Sequence, residues 1–165
     1  MNYFLKNAKF ADCMEQDFDK NVEQLLEAPY WVIDILPMPV TQGSGGQFFA
    51  VEQYYLEEQR HDHLCRQCAD VLLKLNCYHD LYVNHDDKWV KNPAPAILIS
   101  WLTEALRHGH MCALIDEGAS LITASGSDTH MTLYNPSPAL LELVHQLATA
   151  SGLFLWQPQE KNTHN

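Results

Sequence analysis

The chain has 165 residues, 47% of them hydrophobic and 19% charged, a length that fits one domain and a composition too apolar for a disordered polymer. Its 21 Asp and Glu against 10 Lys and Arg leave a formal charge of −11, a field that repels phosphate backbones and anionic membrane surfaces. The basic residues are scattered, and neither a run long enough to span a membrane nor the apolar stretch of a secretory signal is present. The expectation is a cytoplasmic protein with no nucleic-acid or membrane partner, one domain over 1–160 and a flexible tail over 161–165. Its five cysteines, Cys13, Cys65, Cys68, Cys77 and Cys112, are then expected as thiols.

Along the chain, Met14, Phe18, Val22, Leu25 and Leu26 recur at helical spacing over 12–27, and Pro29 closes that helix. Tyr30 to Leu36 is β-branched and aromatic, and Pro37 and Pro39 make it a strand leaving the sheet. After the Gly43-Ser44-Gly45-Gly46 loop, 47–55 alternates imperfectly and reads as a return strand in preference to a helix. Leu64, Cys68, Val71, Leu72 and Leu75 share one face of a helix over 57–76.

A strand is expected over 77–83. Asn92 then caps a helix that begins with Pro93 and Pro95 and stops at Gly109 in a left-handed conformation. Three short strands, 111–115, 119–124 and 128–134, are joined by Asp116-Glu117-Gly118 and Ser125-Gly126-Ser127, which predicts an antiparallel meander. Ser137 and Pro138 start a last helix that ends at Gly152, and a strand over 153–156 follows. The order α-β-β-α-β-α-β-β-β-α-β lacks the alternation of a doubly wound sheet. It specifies an α+β fold, a mixed and largely antiparallel sheet carrying about four helices, with the meander, a helix and a strand at the C-terminus.

Three constellations carry chemistry. Cys65, Cys68, Cys77 and His79, near His61 and His63, are thiolate and imidazole types that zinc selects, and zinc is the one cofactor the sequence offers. Cys65 and Cys68 fall within a periodic helix and Cys68 on its apolar face, so core packing is the expected role and no metal or other cofactor is assigned. His61 and His63 are expected on the solvated flank.

Asp128 and His130 at i and i+2 share one face of a strand, where His130, Thr132 and Tyr134 leave a polar face open to a ligand. Ser125 and Ser127 nearby lack the elbow that exposes a catalytic serine. Asp34 interrupts an apolar strand between Ile33 and Ile35, so its carboxylate must be wet or paired. His130, Asp128, His79 and Asp34 are therefore the acid–base candidates.

Most of Tyr30, Trp31, Phe48, Phe49, Tyr54 and Tyr55 are expected in the core. Trp89 lies among charges in a polar segment, and with Tyr134 it is the candidate protein-binding anchor. No nucleotide-binding or hydrolase motif occurs. The leading expectation is a non-catalytic protein-binding module, inhibitor- or immunity-like, acting on a partner with a basic surface. The alternatives are a small metal-dependent or acid–base hydrolase on the Asp128/His130 face, and a zinc-stabilised interaction module.

Overall fold

The structure, a computed structural model, describes residues 17–126 and 128–159. Cys13, Met14, Ser127 and the tail over 161–165 lie outside them. Among the described residues the helices are α1 (17–25), α2 (Phe48–Leu56), α3 (Glu58–Leu75), α4 (Pro95–His108) and α5 (Pro138–Ala150). The strands are β1 (Tyr30–Asp34), β2 (Leu81–His85), β3 (Lys88–Lys91), β4 (His110–Ile115), β5 (Ser120–Ser125), β6 (Met131–Tyr134) and β7 (Phe154–Trp156).

Seven strands form one sheet in the order β3-β2-β4-β5-β6-β1-β7, and every pairing is antiparallel. The α+β class, the meander β4-β5-β6 and the helix and strand after it are as the sequence implies. Strand alternation divides the apolar side chains between two faces. Met111, Ala113, Ile115, Ile122, Ala124, Met131 and Leu133 meet α3, α4 and α5 in the main core. Leu114, Leu121 and Tyr82 face the other way and pack under Leu25, Phe18 and Val22 of α1. Both faces of the central strands are thus covered, which explains why these strands read as nearly continuous apolar runs.

Five local expectations are corrected. Residues 48–56 form helix, not a return strand: Glu52 and Leu56, four apart, are the half-buried pair, and no strand among the described residues pairs with this backbone. β1 does not leave the sheet but is paired on both sides, Ile33 opposite Met131 and Leu155, and the prolines fall beyond its end. A hairpin joins β2 to β3 through Asp86 and Asp87, both at positive φ (51° and 59°). Trp89 is therefore in a strand.

At the start of α4 the N-cap is Ala94 with no side-chain bond. Asn92 instead sits at φ 46°, accepts the Leu81 N–H and donates to Asp80. Gly109 is extended rather than left-handed. The α5 signals do hold: Ser137 Oγ accepts from the Leu140 N–H at 3.1 Å, and Gly152 at φ 78° lets the Leu153 N–H return to the Ala148 carbonyl.

A candidate protein-binding surface

Helix α2 contains no buried residue, although its sequence is Phe-Phe-Ala-Val-Glu-Gln-Tyr-Tyr-Leu. Phe49 is 76% exposed and Tyr54 51%, and Phe48, Val51 and Tyr55 are also exposed. Met38 and Val40, in the segment leading to α2, add to the exposed apolar surface. The aromatics assigned to the core at 48, 49, 54 and 55 are thus outside it. Between positions 35 and 56 the sequence carries one charged residue, Glu52, in a chain of charge −11. That charge gap and the two aromatic doublets were the available signals; the aromatics alone read as core because hydrophobicity does not state which side of a helix has a neighbour.

A single residue separates α2 from α3, Glu57 in an extended conformation (φ −65°, ψ 143°). The joint is held by Arg60. Its Nε donates to the Tyr54 carbonyl at 2.6 Å, its guanidinium lies 3.5 Å from the Tyr54 ring centroid, and it pairs with Glu57. The Tyr54 carbonyl would accept from the Glu58 N–H in a continuous helix; the arginine takes that place. Cation–π stacking also fixes the orientation of the Tyr54 ring.

Beneath the end of α2 lies an open cleft of about 410 Å³ lined by Leu56, Glu58, His61, Leu106, Arg107 and His108. Arg107 pairs with Asp62. His61, expected on the solvated flank, is 6% exposed; burial, then the Arg107 charge, holds its pKa below the usual histidine value. His63 is exposed.

The acid–base candidates are divided. Continuing the β1/β6 register one step past Ile33 opposite Met131 sets Asp34 opposite His130. Asp34 is 8% exposed, its Oδ1 accepts the Ile35 N–H at 2.6 Å, and burial raises its pKa against the opposing pull of His130. Among the described residues no hydrogen bond or ion pair joins His130 to a titratable group. β6 begins at Met131, so Asp128 and His130 precede the strand and the shared-face argument does not apply to them. His79 is at the opposite end of the sheet, its Nδ1 2.5 Å from Asp116 Oδ2.

The cysteines are likewise dispersed. Cys65 and Cys68 are buried and Cys77 is exposed beyond α3. Burial pushes the Cys68 thiol up to about 12 and raises those of Cys65 and Cys112. Among the described residues no group of three or more His, Cys, Asp or Glu is arranged to hold a metal ion, and Cys65, Cys68, Cys77 and His79 do not converge.

Trp89 and Tyr134 both face the α1 side of the sheet. Trp89 Nε1–H donates to Asp19 Oδ1 at 3.0 Å and its ring lies 5.4 Å from that of Phe18. Tyr134 is half-buried against Tyr30, ring centroids 5.6 Å apart. Trp89 is thus engaged within the molecule, as the clamp of α1.

No helix among the described residues is long and apolar enough to cross a membrane. Comparison with protein-family models, with curated proteins and with solved structures gives no match.

Proposed function

We propose that the chain is a non-catalytic protein-binding module of the cytoplasm, inhibitor- or immunity-like, that docks on its partner through α2. The observation that carries this reading is the helix of aromatic and aliphatic side chains with none buried. A soluble monomer rarely leaves contiguous apolar surface of more than a few hundred Å² uncovered unless something binds there. An exposed apolar helix is suited to insertion into a hydrophobic groove. Glu57 and Glu58 at its C-terminal end and the charge of −11 favour a groove with a basic rim, since charge complementarity speeds encounter and excludes wrong partners.

The test uses the product of the neighbouring gene as partner, coexpressed with the full chain. Truncating an interface aromatic costs about 2 kcal/mol, or roughly thirtyfold in affinity, so Phe49→Ala and Tyr54→Ala should each weaken the complex by about that factor. If both variants bind like the wild type, α2 is not the docking element.

A second reading, an acid–base hydrolase at Asp34, Asp128 and His130, draws on the raised pKa of Asp34 opposite His130. Such pairs recur at catalytic sites. It requires hydrolysis of a p-nitrophenyl ester at a rate that disappears in His130→Gln, and turnover no faster than buffer eliminates it.

A further inference from the structure

We propose that residues 35–61, which carry α2, form a strap that acid releases from the body of the protein, and that the buried His61 side chain is its latch. None of the described residues 35–60 is buried, and the chain re-enters the interior at His61, 6% exposed. The last buried side chain before this excursion is Asp34. A segment that commits so little apolar surface between two anchors opens locally at far lower cost than the whole domain unfolds.

Arg60 joins α2 and the first turn of α3 into one piece. It binds the Tyr54 carbonyl and ring and pairs with Glu57, and all three residues lie within the strap. The buried contact that fixes this piece is His61, where Leu56, Glu58 and His61 meet Leu106, Arg107 and His108 of α4 across the cleft. His61 Nε2 is enclosed and has no hydrogen-bond partner among the described residues. A proton gained by this imidazole adds a full charge to a site shielded from water, where burying a charge is costly.

The neighbours do not offset that cost. Around the imidazole stand Glu58 and Asp62 on α3 and Arg107 and His108 on α4, while α2 lends the cleft only Leu56. Asp62 is engaged by Arg107, Arg107 and a protonated His108 repel an imidazolium, and Glu58 is exposed, so water screens its pull. Burial, then Arg107, holds the His61 pKa below the usual value against the opposing Asp62 and Leu106 carbonyl. In the released strap His61 regains its ordinary pKa of about 6.5. The closed form is therefore stabilised above that value and loses ground as pH falls below it. At the other anchor, Asp34 is faced by His130 and Cys68, and acid neutralises its carboxyl, which suits burial. The strap opens at its α3 end and stays tied at β1.

Hydrogen exchange of the full chain, followed over 48–61 and corrected for the intrinsic pH dependence of exchange, tests the latch at pH about 7.5 and about 5.5. One unit below about 6.5, protonation of the open form multiplies the opening constant by up to about tenfold. Protection over 48–61 should fall by about fivefold to tenfold, and that of α5 should not change. His61→Gln and His61→Met, which take up no proton, should each exchange at equal corrected rates at both pH values. His63→Gln, which alters an exposed histidine on the same helix, should keep the acid response. NMR titration of the wild-type imidazoles gives a second readout, with His61 titrating below the ordinary value. Unchanged wild-type protection, an acid response that persists in both His61 variants, or a His61 imidazole titrating at or above about 6.5 overturns the proposal. The latch does not require a partner on α2, and the docking reading is decided separately, by Phe49→Ala and Tyr54→Ala at neutral pH, where the strap is closed.

Discussion

Burial holds the Asp34 carboxyl above the usual carboxylate range, and the nearby His130 opposes that shift only in part. The folded chain therefore keeps a proton on Asp34 that the unfolded chain has released. Stability is lost as pH rises from the unfolded pKa of about 3.9 through the raised folded value. Asp34→Asn removes the charge and retains an oxygen for the Ile35 N–H. Its urea midpoint is expected above that of the wild type at pH 7, with the difference shrinking toward pH about 4; an equal or lower midpoint at pH 7 contradicts this account. At Cys68, 1% exposed, serine places a hydroxyl in the apolar core, so Cys68→Ser should cost about 1–3 kcal/mol in urea unfolding. Metal analysis of untagged protein tests the same assignment. Stoichiometric zinc in the wild type that vanishes in Cys68→Ser would make this cysteine a ligand. Asp34 was legible as an anomaly because a carboxylate interrupts an apolar run; its nearness to His130 was not, because the two are 96 positions apart and only the register joins them.

At the scale of elements, helices with both a cap and a stripe were readable. Ser137 and Pro138 mark the start of α5, and the periodicity of α3 runs without interruption from Leu64 to Leu75. The β2–β3 hairpin was not readable, because its turn is Asp86-Asp87 and lacks the glycine that usually signals two positive φ values. An L-residue in the left-handed region costs roughly 1 kcal/mol relative to glycine. Asp87→Gly should therefore raise stability by about 1 kcal/mol and the melting temperature by about 3 °C, measured by thermal unfolding; a lower melting temperature means that the Asp87 side chain stabilises the turn. The hairpin matters beyond itself. It carries Trp89 to Phe18 and Asp19, and so decides where α1 lies on the sheet. The helical state of α2 was missed for a related reason. Residues 48–56 are rich in aromatics of high strand propensity, while their helical conformation shows in the Glu52/Leu56 spacing and in the continuation into α3 after one extended residue.

For the whole molecule, a charge of −11 is a self-repulsion that acts on the compact state and, more strongly, on two copies brought together. Raising salt from 0.01 to 0.1 M shortens the screening length from about 30 to about 10 Å. The urea midpoint should then rise. A midpoint that falls over this range would mean that attractive ion pairs, such as Lys91–Asp80 and Arg107–Asp62, outweigh the mean repulsion.

What the sequence determined by itself is what depends on local pattern and bulk composition: the α+β class, the C-terminal meander with its helix and strand, the caps of α5, and the net charge of −11. The tertiary structure decided which surfaces find a neighbour. It placed β1 between β6 and β7, set Trp89 to clamp α1, brought Asp34 near His130, separated the cysteines from His79, and left no side chain of α2 in the core. Periodicity states that a side chain has an apolar face, but burial depends on residues far away in the chain, and among the described residues none covers a side chain of α2 completely.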